Sequence, residues 1–392
     1  MYRKYKPSTI FDGSNLLPAG NVLVMTSNGS VDAIVPENEA GDDVQPLNGI
    51  LSPGFINAHC HIELSHMKAV IPEHTGLVEF VKQIIYKREN PFSENLSEDY
   101  FEKLLDIKHK AMSRAVDELY NSGTVAVGDI CNTADSVELK KDSPLYWHNF
   151  VEVSGFVDAV AAKRLATAED ILLSFIKAGA KEGNSLSPHA PYSVSATLFK
   201  LLNEKTTGQL ISIHNQETLA ENELYINKTG AFLGLYEMLG INIDHFLPTG
   251  KTSIKSWLPY FNNEQKIISV HNTFTSADDI AHSSLPISYC VCINANLYIE
   301  NSLPPLDMLM DNGCHIVLGT DSYASNWQLN IFEEIKSIQQ HFPHISLENI
   351  LKWATSNGAR ALGIDDVFGS FEKGKKPGLV LIDAGIARRM EA

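Results

Sequence analysis

Short, almost wholly apolar runs alternate along most of the chain with longer stretches whose apolar positions recur every three to four residues. The short runs, at 50–58, 124–129, 146–155, 185–188, 210–215, 267–271, 287–293 and 315–321, read as eight strands. Apolar residues on both faces mark strands buried on both sides, as parallel strands are. Between them, 77–87, 98–121, 168–178 and 196–205 carry the spacing of amphipathic helices. Eight strands alternating with helices predict an α/β fold, a (β/α)8 TIM-type barrel. Two further β-like runs, 21–26 and 31–35, are broken by Gly, Asn, Pro and an acidic loop at 37–43. With the clean strand 378–383 they predict a small β-sandwich domain built from both termini, 1–50 and 365–392, around a catalytic barrel at 51–364. The looser region 222–264, with Gly, Pro and Trp257, reads as an insertion over one end of the barrel.

Composition narrows the classes. A chain of 392 residues suits a large barrel plus an appendage, and 44% hydrophobic with 20% charged residues is ordinary for a soluble protein. The formal net charge of −16 argues against a nucleic-acid partner. Five scattered cysteines, an odd number, argue for reduced thiols and a cytoplasmic location. The first residues, Met-Tyr-Arg-Lys-Tyr-Lys, lack the apolar core of a signal peptide, and no apolar run is long enough to span a membrane. The expected partner is a small-molecule substrate, with homo-oligomerisation left open.

Candidate chemistry collects where a barrel places its active site, at the carboxyl ends of the strands. Residues i and i+2 of a strand share a face, so His59 and His61 can aim two imidazoles at one divalent ion. The fourth strand runs into Ser187-Pro-His189-Ala-Pro-Tyr192 and the fifth into His214-Asn-Gln-Glu217-Thr. The sixth ends in His271-Asn-Thr and the eighth in Gly319-Thr-Asp321-Ser. Each residue alone has an ordinary explanation as a capped turn, a core histidine or a solvated carboxylate. Metal-capable residues at five separate strand ends point instead to a metal centre.

These motifs, Pro-Gly-Phe-Ile-Asn-Ala-His-x-His, Ser-Pro-His-Ala-Pro-Tyr, His-Asn-Gln-Glu-Thr and Leu-Gly-Thr-Asp-Ser, resemble signatures of the amidohydrolase superfamily. The similarity is to its cytosine-deaminase-like and chlorohydrolase-like branch. The resemblance implies one divalent metal ion held by His59, His61, His214 and Asp321, zinc first, with iron or manganese as alternatives. It implies Glu217, His271 and Asp321 as catalytic groups and His189 near the substrate. The fourth strand offers no bridging Lys or Glu, which favours a single metal over the pair found in other members. Two departures stand out: Cys290-Val-Cys-Ile-Asn-Ala-Asn296 replaces the Cys-Pro-x-Ser-Asn common in the family, and the chain after Asp383 is short.

The implied activity is that of a metal-dependent aminohydrolase. A metal-bound hydroxide would replace an aromatic C–NH2 with C=O on an adenine-type nucleoside such as aminodeoxyfutalosine, methylthioadenosine, S-adenosylhomocysteine or adenosine. The run His61-Ile-Glu-Leu-Ser65 is similar to enzymes acting on aminodeoxyfutalosine, and Glu63, Ser65 and Tyr192 join His189 as expected substrate contacts. The alternatives are another C–N or C–Cl hydrolase of the superfamily, acting on guanine, cytosine or a triazine, and a non-catalytic scaffold of the same fold. A scaffold usually loses its ligands, and all are present here. His61-x-Glu63 also matches the start of the small zinc nucleobase deaminase motif, but the Pro-Cys-x-x-Cys partner is absent. Cys290 and Cys292, on one strand face, read as buried cysteines, and Trp257 and Tyr298 as packing residues.

Overall fold

The computed structural model describes residues 2–91, 98–179, 183–281 and 285–391. Its strands in chain order are β1 (Tyr2–Lys6), β2 (Thr9–Ile10), β3 (Asn21–Thr26), β4 (Val31–Pro36), β5 (Val44–Pro46), β6 (Ile50–Ser52), β7 (Phe55–Cys60) and β8 (Thr124–Cys131). They continue as β9 (Tyr146–Val153), β10 (Gly183–Pro188), β11 (Leu210–Asn215), β12 (Lys266–His271), β13 (Ile287–Val291), β14 (His315–Leu318), β15 (Leu379–Asp383) and β16 (Ile386–Met390).

Two four-stranded parallel sheets carry the centre of the molecule, β7-β8-β9-β10 and β11-β12-β13-β14. Every residue of β7 and β8 is buried, as the unbroken apolar runs required. The two sheets meet at both sides. A parallel bridge joins Cys60 to Asp321, and the amides of Thr320 and Asp321 donate to the His59 carbonyl at 3.0 and 3.1 Å. On the other side the His214 amide donates to the His189 carbonyl at 2.9 Å, and the Ser212 amide to Ser187 Oγ at 3.1 Å. Helices lie between successive strands, among them Ala161–Lys177 and Ala196–Lys205, the latter capped by Ser195 Oγ accepting from the Leu198 amide.

The termini build two smaller sheets, β4-β3-β1-β5 and β16-β15-β6-β2. The run 50–58, expected as one strand, is two. β6 pairs antiparallel with β15 in a terminal sheet, and β7 pairs with β8. Pro53 has no amide hydrogen to continue a ladder. Gly54 packs so tightly that a Cβ would sit 2.2 Å from Val125 Cγ1, so the chain changes sheets at that dipeptide. The short tail after Asp383 adds a hairpin strand, β16. The region 222–264, read as loose, holds the helices Phe232–Met238 and Ser253–Trp257 and most of Leu219–Asn227. Among the described residues no helix is long and apolar enough to cross a membrane.

Candidate active site

The ends of β7, β11 and β14 bring four donors together. His59 closes β7 from within the strand, and His61 leaves it at φ −130°, ψ 80° to start a 3-10 turn, Ile62–Met67. His214 comes from β11, and Asp321 follows β14 with φ 57°. His271, at the end of β12, also has a positive φ, 71°. Left-handed backbone at non-glycine residues is strained and persists where surrounding bonds fix it. The His59 carbonyl does so for Asp321 by accepting its amide.

His61 Nε2 stands 3.1 Å from His59 Nε2, 3.2 Å from His214 Nε2 and 3.3 Å from Asp321 Oδ1. Asp321 Oδ1 is 3.5 Å from His59 Nε2. A neutral imidazole nitrogen has one proton or one lone pair, so hydrogen bonds can satisfy only one of His61's three neighbours. His214 Nδ1 lies 2.8 Å from the His189 carbonyl, which can only accept. Its proton is therefore on Nδ1, and Nε2 turns a lone pair into the cluster. Ligand atoms around a tetrahedral ion with bonds of about 2.0–2.2 Å lie about 3.3–3.6 Å apart, near the spacing of this group. All four residues are buried, with their ligand atoms within 4.8 Å of one another. The arrangement fits a divalent cation.

The electrostatics agree. Burial, outweighing the Asp321 charge, pulls His61 down to about 3, and the other histidines add to the shift. Burial and the neighbouring imidazoles hold His214 well below the usual histidine range. Both rings stay neutral, as ligands must. Burial alone would raise Asp321, but the hydrogen bond with His59 and the nearby histidines hold it well below the usual carboxylate range. Glu217 goes the other way. Burial, then the charges of Asp321, Glu300 and Glu221, push its carboxyl well above the usual range. Glu217 Oε1 is 3.6 Å from His271 Nε2, a buried atom without a hydrogen bond, while His271 Nδ1 is 2.8 Å from Asn296 Oδ1.

A cavity of about 600 Å³ opens from this cluster, with His61, His189, Tyr192, His214, Glu217, His271 and Asp321 in its wall. Its far side is mostly apolar, formed by Leu77, Phe80, Ile84, Phe156, Leu235 and Leu239. Tyr192 stacks on Phe232 at 4.3 Å, and His189 Nδ1 is 2.9 Å from Ser193 Oγ.

The chain from 50 to 391 matches the family model of the amidohydrolase family. The chain belongs to the amidohydrolase family. This amidohydrolase is 27% identical over 384 residues to a 5'-deoxyadenosine deaminase of Methanococcus maripaludis strain C6, covering 94% of this chain and 82% of the relative. It is 27% identical over 353 residues to an aminodeoxyfutalosine deaminase of Nitratiruptor sp., covering 86% and 79%. The Helicobacter pylori aminofutalosine deaminase, solved with methylthio-coformycin, superposes with a TM-score of 0.79 at 21% identity, covering 96% of this chain and 91% of that one. That likeness is one of fold.

Not every expected residue of the amidohydrolase site faces the cavity. Both Glu63 oxygens accept from backbone, Oε2 at 3.0 Å from the Asn132 amide and Oε1 at 3.3 Å from that of Thr133. Ser65 Oγ donates to the Ile62 carbonyl at 2.6 Å. Neither lines the cavity, so these two placements differ from the expectation of substrate contact. Trp257 is fully buried, its Nε1 donating to Asn215 Oδ1 at 2.8 Å. Cys290 and Cys292 are buried free thiols. Sequence reasoning missed Glu152, at the end of β9 in the cavity wall, within 4.8 Å of a nitrogen of both His189 and His214. The signal was there: a metal-capable side chain at the end of an apolar strand, as with His214 and Asp321.

Proposed function

We propose that this amidohydrolase is a metal-dependent aminohydrolase that removes the amino group from an adenine-type nucleoside. The observation carrying the reading is the four-donor cluster opening into a cavity of about 600 Å³ whose wall also holds the buried carboxyl of Glu217. The names of the relatives, deaminases of 5'-deoxyadenosine and aminodeoxyfutalosine, support the substrate class.

His59, His61, His214 and Asp321 would hold one divalent ion, zinc by preference, since three imidazoles and a carboxylate suit it. When bound, such an ion supplies Lewis acidity that lowers the pKa of water to around 7. Asp321, held ionised, accepts the proton that the attacking water gives up. Glu217 delivers its proton to the ring nitrogen beside the attacked carbon. The proton held by Asp321 then passes to the exocyclic nitrogen, the C–N bond breaks and ammonia leaves. The hydroxyl on the attacked carbon returns its proton to Glu217 and becomes C=O. His271, anchored through Asn296, turns Nε2 toward Glu217 and orients the attacking oxygen. His189 and Tyr192 contact the nucleoside, and the segment 222–264 covers the sugar and its 5' substituent through Leu235 and Leu239. We assign Glu63 and Ser65 to holding the loop after β7 rather than to substrate.

We also read the two parallel sheets as halves of one (β/α)8 barrel, with the terminal strands as its small β-sandwich domain. The barrel, expected at 51–364, opens only at β7 because β6 lies in a terminal sheet. The Cys60–Asp321 bridge on one side and the His214–His189 backbone bond on the other support closure. The test is a screen for ammonia release from adenosine, 5'-deoxyadenosine, 5'-thioether adenosines, free guanine and cytosine, with chloride release read for a chlorotriazine. The nucleosides are expected to give the highest kcat/KM. A free base or the triazine turning over faster than every nucleoside would overturn the substrate class.

A further inference from the structure

Outside the donor cluster, a second buried polar group lies under the loop that carries His61. Asp129, on β8, is fully buried. Its Oδ1 accepts from the Ile62 amide at 2.9 Å, and its Oδ2 is 2.6 Å from Lys140 Nζ. Lys140, 2% exposed, reaches inward from the short helix Val137–Lys141. It donates to Asn149 Oδ1 at 2.7 Å and to Cys131 Sγ at 3.1 Å, with the Trp147 and Phe175 rings at 5.2 and 5.0 Å. Asn149 is tied in turn to Asn184 at 2.9 Å.

The geometry gives this group a task. The β7–β8 ladder shifts register before Cys60 and ends there, against Asp129. The Ile62 amide, next along the chain from His61, then has no strand carbonyl to meet, and a buried amide without an acceptor is costly. The Asp129 carboxylate takes the carbonyl's place. Two residues on, Glu63 binds the Asn132 and Thr133 amides just past the same strand. The segment after His61 is thus fastened at two points, to Asp129 on β8 and to the turn that follows it.

We propose that the buried Asp129–Lys140 pair is a positioning device that aims His61 at the metal ion, acting through the Ile62 amide from outside the site. The proposal rests on the metal-site reading above. Groups behind a ligand that fix its direction typically change metal affinity 10–100-fold when removed.

The test is the zinc dissociation constant of the full chain, measured by competition with a chromophoric chelator. Asp129→Ala and Lys140→Met are each expected to weaken zinc binding roughly 10-fold or more. The neutral pair Asp129→Asn/Lys140→Met keeps an acceptor for Ile62 and buries no lone charge, so it is expected to recover affinity to within about threefold. With Asp129→Asn alone as the fourth corner, a double-mutant cycle reads the coupling directly. Leu202→Ala, a buried change in the core elsewhere, is the control: it should lower Tm and leave zinc affinity unchanged. If Asp129→Ala does not fold, the Lys140→Met and double-variant comparison still decides. Wild-type affinity in Lys140→Met, or a double variant as weak as Lys140→Met, would overturn the proposal. His61→Ala separates the two readings. If it leaves zinc affinity unchanged, the metal site is wrong; if it weakens zinc while the pair variants do not, only the positioning role fails.

Discussion

Two buried polar clusters flank the His61 loop, and they are satisfied in opposite ways. Around Asp129 both carboxylate oxygens have partners, and the Lys140 ammonium has three. Around His61, one nitrogen faces two others and a carboxylate oxygen at 3.1–3.3 Å, more neighbours than it can bond. A saturated network holds a shape, whereas an over-supplied set of inward lone pairs waits for a cation. The difference teaches that burial and charge alone do not mark a site. Nor does a perturbed pKa: Lys140 is pushed up, against the pull of burial, by Asp129 and Cys131 in a purely internal pair. What marks the site is donor capacity left over once internal partners are counted.

The comparison breaks first if the ligand side tolerates loss. His214→Ala or Asp321→Ala should remove most of the bound metal, read by elemental analysis, and all detectable turnover. Glu217→Gln keeps the shape but not the transferable proton. Its kcat should fall roughly 10²-fold or more, with metal content unchanged, because it is an acid and not a ligand. Loss of metal in that variant would move Glu217 to the ligand side. Gly319→Ala probes the packing behind His59. A Cβ there would lie 2.9 Å from His59 Cβ and 2.8 Å from Cys290 Sγ. We expect a lower Tm and weaker metal binding together, by about 1–3 kcal/mol in stability.

The last effect is a pH dependence at Glu334, a third buried polar group. Burial pushes Glu334 from 4.5 up to about 8, while it accepts from the Asn294 amide and from Asn326, which also holds the Thr320 carbonyl beside Asp321. Its folded pKa is raised, so folding takes up a proton between pH 4.5 and 8 and wild-type stability falls as pH rises through that window. Glu334→Gln should remove this slope, read as urea midpoints across the range. An unchanged slope would assign the dependence to other groups.

How much was legible follows the same division. His59 and His61 were readable because the two-residue strand period fixes their common side. Asp321 and His214 stand at the ends of apolar runs, where only a turn or a site explains a polar side chain. The Asp129–Lys140 pair was not read, because Lys140 lies in Val137-Glu-Leu-Lys-Lys141, which looks like a solvated helix. Its partner carried the better clue. Asp129 sits inside Thr124-Val-Ala-Val-Gly-Asp-Ile-Cys131, and a charge within a buried strand needs a buried partner. The break at Pro53-Gly54 was visible as residues but hidden in pattern, because apolar positions run on through it. Glu63 and Ser65 stand close in sequence to His61, but within the 3-10 turn their side chains bind backbone groups, a pairing that sequence spacing does not reveal.

If one metal ion serves deamination at this cluster, a metal titration reads it. Protein stripped by chelator should not deaminate 5'-deoxyadenosine, and added zinc should restore turnover linearly until about one equivalent per chain, then no further. Full activity in the stripped protein, or a rise that continues to about two equivalents, would contradict it.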